Sequence, residues 1–223
     1  MLGIIGGTSL LFSDLPPLEK RRIATPYGPA EVYCGECALL LRHQYGRPPH
    51  RINYRASLAA LAILGVDRVV AFGSAGSLKP EITPESLVVP TDYISTSDIP
   101  SIHDHAIEHV NPAIDRALAE ELAALVPDAR FGGVYVQTRG PRIETVAEVE
   151  VLARVADIVG MTLASEATLA CELGMGFAAL CTVDNYAHGI GEEVLTYAHI
   201  LEISRKHRKR TEIILQRILE VMV

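Results

Sequence analysis

This sequence predicts an α/β fold: a mixed, largely parallel central β-sheet flanked by helices, in one domain over residues 1–223. Three observations predict it. Apolar runs ending in small or polar residues alternate with stretches of helical periodicity. Hydrophobic residues make up 49% while aromatics make up 5% and Trp is absent, so the core must be Val, Ile, Leu and Ala, as in strands covered by helices. No repeat, linker or low-complexity tract divides the 223 residues, a length one α/β core can enclose.

In chain order, the buried-strand signals are Leu2 to Ile5, Ala38 to Leu41, Arg68 to Phe72, Leu87 to Val89, Gly133 to Val136, Ile158 to Val159 and Phe177 to Val183. Between them lie helices with readable ends. Asn53 caps a helix that runs through Leu64 and stops at Gly65. Asn111-Pro112 starts another, with Ile114, Leu118, Leu122 and Leu125 on one face, ending before Pro127. Thr145 and Glu148 form a capping box ahead of Val149 and Leu152, and Glu166 to Leu173 is a short helix closed by Gly174. In such folds ligands sit beyond the strand ends.

Charge narrows the function. A formal net charge of -7 argues against a nucleic-acid binder, which needs a basic face. Five of the 20 basic residues crowd into Arg205, Lys206, Arg208, Lys209 and Arg210, which reads as the solvated face of a C-terminal helix. The opening strand is broken at once by Gly6 and Gly7, so it is neither a signal peptide nor a membrane span. Four cysteines without a secretion signal imply reduced thiols and a cytoplasmic location, Cys34 and Cys37 included.

Several residue groups could carry chemistry. Gly6-Gly7-Thr8-Ser9 ends the first strand, where glycines permit positive φ and backbone N–H groups can converge on an anion. Gly73-Ser74-Ala75-Gly76-Ser77 repeats the arrangement as a second small-residue loop. Arg42-His43 follows a strand and offers a fork of donors beside an imidazole. Later, Glu144 is an acid at a helix start, Met161 and Thr162 end a strand, and Asn185 offers an amide with both donor and acceptor. Read alone, Glu144 is a helix-start charge and Met161 a core filler. A metal hydrolase on His103, Asp104, His105 and His109 has H-x-H spacing but no H-E-x-x-H, and a serine hydrolase on Ser74 lacks the first glycine of the nucleophile elbow.

Taken together and in order, G-I-I-G-G-T, T-P-Y-G, R-H, P-P-H-R-I-N-Y-R-A, G-S-A-G-S-L, Q-T-R-G-P-R-I-E-T-V-A-E, V-G-M-T and D-N-Y-A-H-G cover nearly the whole chain. In them the sequence resembles the nucleoside phosphorylases, in the branch holding methylthioadenosine, S-methyl-5'-thioinosine and trimeric 6-oxopurine nucleoside phosphorylases. The resemblance implies phosphorolysis of a 6-oxopurine nucleoside in purine salvage, by a homotrimer, with inorganic phosphate as cosubstrate and no metal or other cofactor. It places phosphate against Thr8, Arg42, His43, Ser74, Ala75 and Thr162, and Met161 under the ribose. Asn185 would face the purine N7 and O6, with Tyr186 and Ala187 beside it, and Glu144 would accept from N1–H. Asn185, Glu144 and His43 are thereby the catalytic candidates.

Four features depart from the family pattern. Gln44 stands where a glycine commonly follows R-H, and the segment Ser95 to Val110 is compact. The stretch from Asn185 to Glu192-Glu193-Val194 is short, and Gly191 occupies the place of a histidine for the ribose 5'-hydroxyl. Gly191 is therefore a specificity candidate together with Glu144. The alternatives are a methylthioadenosine phosphorylase, a nucleosidase of the same broad fold that uses water, for which Asp184 is a base-facing acid, and a non-catalytic nucleoside or phosphate binder.

Overall fold

The computed structural model describes residues 1–10, 12–15, 17–191 and 196–223, the side chains of Ser9, Tyr197, His199 and Ile200 excepted. Among these residues the strands are β1 (Leu2–Gly6), β2 (Glu19–Ile23), β3 (Ala30–Cys34), β4 (Ala38–Leu41), β5 (Arg68–Ser77) and β6 (Leu87–Val89). They continue with β7 (Asp92–Ser95), β8 (Ala129–Phe131), β9 (Val134–Gln137), β10 (Ile158–Gly160) and β11 (Gly176–Tyr186). The helices are α1 (Tyr54–Ile63), α2 (Arg116–Leu125), α3 (Val146–Leu152), α4 (Leu163–Glu172), α5 (Tyr197–Lys206) and α6 (Arg208–Met222). None is long and apolar enough to cross a membrane.

All strands belong to one mixed sheet organised around β5. β4, β1, β5 and β11 lie side by side and parallel, and their residues Leu39, Ile4, Ile5, Val69, Val70, Ala71, Ala178 and Ala179 have no exposed surface. β5 was expected to end at Phe72. It runs on to Ser77 because β11 pairs with it along its whole length, from Gly176↔Arg68 to Tyr186↔Ser77. The expected second glycine loop is thus a strand, and its small residues serve close packing: a Cβ on Gly73 would meet Leu163 Cδ1 at 3.1 Å and Cys181 Sγ at 3.3 Å.

The other edge of β5 is shared. β1 pairs with residues 68 to 72, while β10, running the opposite way, pairs with Gly76 and Ser77. Their ends face each other across Gly73, Ser74 and Ala75, which no strand covers on that edge. β9 and β7 extend the sheet from β10, and the β2–β3 hairpin extends it from β4.

Helix ends follow the sequence, with two corrections. Asn53 caps α1, its side chain accepting from Ala56 N–H at 3.1 Å, a contact worth about 1 kcal/mol. The Thr145/Glu148 capping box is formed. α2, however, starts at Asp115 rather than Asn111, because Asp115 caps Leu118 N–H while its own N–H bonds to Phe177 O of β11. α4 starts three residues before Glu166, which puts Thr162 at its N-cap.

The basic run lies at the surface as expected, exposed at Arg205, Lys206 and Lys209 and half-buried at Arg208 and Arg210, and most of it is paired. Arg205 lies over the Phe12 ring, Lys206 pairs with Glu85, Arg208 with Asp14 and Glu212, and Arg210 donates to the Glu85 carbonyl. The contacts with Phe12 and Asp14 hold α5 and α6 against the chain that follows β1, and those with Glu85 against the connection between β5 and β6. All four cysteines are free thiols.

Candidate active site

The uncovered edge of β5 is where the candidate residues meet. From one side β1 delivers Gly6, Gly7 and Thr8, the last in a 3-10 turn, Thr8–Leu10. From the other side β10 delivers Met161 and Thr162. The chain leaving β4 supplies Arg42, whose N–H bonds to Gly6 O at 2.8 Å.

Arg42 is 3% exposed and its guanidinium is fully oriented. Nε and Nη2 donate to Glu166 Oε1 and Oε2 at 2.5 and 2.8 Å, a bidentate fork, and Nη1 donates to Phe72 O at 3.0 Å, the last β5 carbonyl beside β1. Burial works against its charge, and the Glu166 carboxylate more than offsets that, so the pKa is raised. One N–H on each terminal nitrogen is left for a ligand. The glycine pair makes room for this group. Neither Gly6 nor Gly7 has positive φ; instead a Cβ on Gly7 would overlap Arg42 Nη1, and one on Gly6 would meet Leu10 Cδ1 at 2.7 Å. Close approach, not a left-handed turn, requires them.

His43 sits half-buried next in sequence. Its Nδ1 is 2.8 Å from Arg47 O, and since a carbonyl only accepts, Nδ1 carries the proton and Nε2 is the acceptor of the neutral ring. Burial holds the pKa below the ordinary histidine value; the Arg47 carbonyl works against this and the Arg42 charge adds to it. A cavity of about 180 Å³ opens beside His43, lined also by Gly6, Gly7, Lys20, Glu31 and Tyr45.

Thr162 is buried but its hydroxyl does not cap α4. The helix start is satisfied from β9 instead: Tyr135 hydroxyl accepts from Thr162 and Leu163 N–H, and Gln137 Oε1 accepts from Ser165 N–H at 3.0 Å. That leaves the Thr162 hydroxyl out of the helix start, on a residue that follows β10 at the edge of the gap. Ser74 differs, because its hydroxyl donates to the buried Asp184 carboxylate, so what it and Ala75 can offer an anion is backbone.

The second half of the site is built on Gly140. Its φ of +62° and missing side chain admit Met161, whose Sδ a Cβ there would overlap. The chain then carries Glu144, 6% exposed, whose Oε1 accepts from Thr138 Oγ1 at 2.5 Å. Oε2 has no hydrogen-bond partner among the described residues. His188 Nδ1 reaches Glu144 O at 3.0 Å and ties this segment to the end of β11. There Asn185 lies beside Gly76, its Nδ2 donating to Tyr186 O at 2.7 Å, and Ala187 is buried with its N–H on Ser77 O.

Gly191 packs on Tyr186. A Cβ on it would stand 3.1 Å from the Tyr186 ring, whose hydroxyl donates to Pro80 O. Of the short stretch that starts at Asn185, Glu192, Glu193 and Val194 lie outside the described residues. The segment from Ser95 begins near Gln137, whose Nε2 donates to Ser97 Oγ, but Ser101 and Ile102 then bind Glu172 at the far end of α4, about 15 Å from Thr162 at 1.5 Å per residue. Asp104 is spent on Arg55 and His103 lies 3.5 Å from Glu108. Among the described residues no cluster of three or more His, Cys, Asp or Glu could hold a metal.

Sequence reasoning missed Glu166, Thr138, Gln137 and His188. Glu166 carried a signal: it is a charge set among Leu163, Ala164, Ala167 and Ala170 in an otherwise apolar helix.

Residues 1–220 match the Phosphorylase superfamily. A probable 6-oxopurine nucleoside phosphorylase of Archaeoglobus fulgidus is 42% identical over 222 residues, covering 94% of this chain and 91% of the relative. A probable S-methyl-5'-thioinosine phosphorylase of Methanocaldococcus jannaschii is 38% identical, covering 91% and 85%. The adenosine/methylthioadenosine phosphorylase structure of Schistosoma mansoni superposes with a TM-score of 0.88 over 99% of this chain and 91% of that one, at 24% identity, a likeness of fold. With a family match over nearly its whole length and relatives this similar, the chain belongs to the Phosphorylase superfamily, in the branch of 6-oxopurine nucleoside and S-methyl-5'-thioinosine phosphorylases.

Proposed function

We propose that this chain catalyses phosphorolysis of 6-oxopurine nucleosides, releasing the free base and ribose 1-phosphate or its 5-methylthio derivative. The observation that carries the reading is the uncovered edge of β5, where Arg42, His43, Thr8, Thr162 and the backbone at Ser74 and Ala75 border one gap. Phosphate held there lies against the ribosyl group over Met161. Its oxygen bonds to C1' as the C1'–N9 bond breaks, and the electron pair leaves with the purine. The neutral His43 Nε2 accepts a hydrogen bond from the phosphate, and Asn185 donates to the base at N7 or O6 as charge develops. Alignment of the two reactants contributes at most about 7–11 kcal/mol in ideal cases, which suits a site made of fixed donors.

The base class follows from Glu144. A buried carboxylate with one oxygen tied to Thr138 and the other open meets N1–H of hypoxanthine or guanine well, whereas adenine presents a bare acceptor there. Incubating inosine and methylthioinosine with and without phosphate, and with and without chelator, while following free hypoxanthine, tests the reading. Hypoxanthine is expected only with phosphate and regardless of chelator. Equal release in phosphate-free buffer would point to a water-using nucleosidase and end this proposal.

We assign the 5' position to Gly191, which presents no imidazole to a hydroxyl and packs closely on Tyr186, a Cβ there standing 3.1 Å from the ring. Burying a methylthio group should favour methylthioinosine over inosine by about 1–2 kcal/mol at ~0.8 kcal/mol per CH₂, or about 5–30-fold in kcat/KM. Gly191→His should reduce that preference. A kcat/KM for inosine equal to or above that for methylthioinosine rejects the 5' assignment.

A further inference from the structure

Ser74 and Gly76 are two residues apart on β5, so their Cα–Cβ directions share one face of the strand. Asp184 Oδ2 takes the hydrogen bond of Ser74 Oγ, and Asn185 Nδ2 lies 3.2 Å from where a Cβ on Gly76 would be. Two consecutive residues of β11 therefore reach the same face, which regular alternation does not allow. The register gives the cause. Val183 pairs with Ala75 and Asn185 with Gly76, so Asp184 is one extra residue, a bulge in β11. Bulges of this kind re-aim side chains beside sites. Asp184 is an expensive residue to place there: at 5% exposure its carboxylate is out of water and must be held by hydrogen bonds. Ser74 supplies one of them, from the strand that borders the phosphate gap.

We propose that Asp184 is a positioning residue for purine recognition: held by the Ser74 hydroxyl, it pins the bulge that turns Asn185 toward the base. This rests on the assignment of Asn185 to the base in the proposed reaction. The role needs an acceptor for Ser74 at the bulge more than it needs charge. Asp184→Asn keeps a carbonyl oxygen for Ser74, Asp184→Ala removes it, and Ser74→Ala removes the donor without altering β11.

The test is steady-state kinetics on inosine, adenosine and phosphate for the full chain and for Asp184→Asn, Asp184→Ala, Ser74→Ala and the Ser74→Ala/Asp184→Ala double variant. Asp184→Ala and Ser74→Ala are expected to lower the inosine-to-adenosine ratio of kcat/KM about tenfold, the scale of one buried hydrogen bond, while the phosphate KM moves less than about threefold. Asp184→Asn should keep the ratio within about threefold, and the double variant should be no worse than Asp184→Ala. An unchanged ratio in Ser74→Ala overturns the proposal, and so does an Asp184→Asn enzyme as indiscriminate as Asp184→Ala. Should Asp184→Ala fail to fold, Ser74→Ala alone decides. Wild type with no phosphate-dependent activity would overturn the proposed reaction as well, whereas wild-type phosphorolysis with an unmoved ratio in Ser74→Ala overturns only the role of Asp184.

Discussion

Glu166→Ala is expected to cost about 3–5 kcal/mol of stability, because it strands the Arg42 guanidinium, 3% exposed, beside no counter-charge. For a chain of this length that is a fall in Tm of roughly 6–20 °C, read by thermal unfolding. Arg42→Ala should do similar damage by stranding Glu166, so the single variants mix folding with function. Replacing both together, Arg42→Met with Glu166→Leu, removes two buried charges at once and is expected to recover most of the stability, as apolar replacement of buried ion pairs often does. It should not recover phosphate use. In that well-folded double variant the phosphate KM should rise well beyond the change in nucleoside KM, since the two remaining N–H donors at the gap are gone. A double variant with wild-type phosphate KM would take Arg42 out of phosphate binding.

Asn185→Asp should exchange one base class for another. A carboxylate at that point repels the developing charge at O6 of hypoxanthine, and losing a donor of this kind costs on the order of 10²–10³ in rate. Activity on adenosine should rise from its low base, because the 6-amino group then finds an acceptor. Both substrates would be assayed for Asn185→Asp and for Asp184→Asn. The bulge puts these neighbours on one face with different duties, so the switch is expected from Asn185 alone. If Asp184→Asn switches specificity and Asn185→Asp does not, the base-facing residue is Asp184.

What the sequence disclosed depended on how local each cause was. The core strands and the ends of α1 and α3 were legible because apolar runs, Asn53, Thr145 and Gly65 act on their immediate neighbours. β2 was not, since Glu19-Lys20-Arg21-Arg22-Ile23 is nearly all exposed and is a strand only by pairing with β3. The end of β5 was misplaced because its cause, the pairing with β11, lies more than a hundred residues away. The same divide runs through the site. Its motifs could be picked out one by one, but the ion pair of Arg42 with Glu166, at a separation of 124 residues, and the Ser74–Asp184 pair, at 110, are products of topology. Neither has a spacing that a linear reading can detect.

The loop that carries Thr8 is finished by the other end of the chain. Ser204 Oγ of α5, buried at 6% exposure, donates to Thr8 O at 2.7 Å across 196 residues. During synthesis at about 5–20 residues per second, the cradle made by β1 would wait roughly 10–40 s for that clasp. A nascent chain therefore holds an unfinished anion site throughout most of translation, and a ribosome that stalls just after β11 leaves a product with the sheet's central strands but without the contact that fixes Thr8.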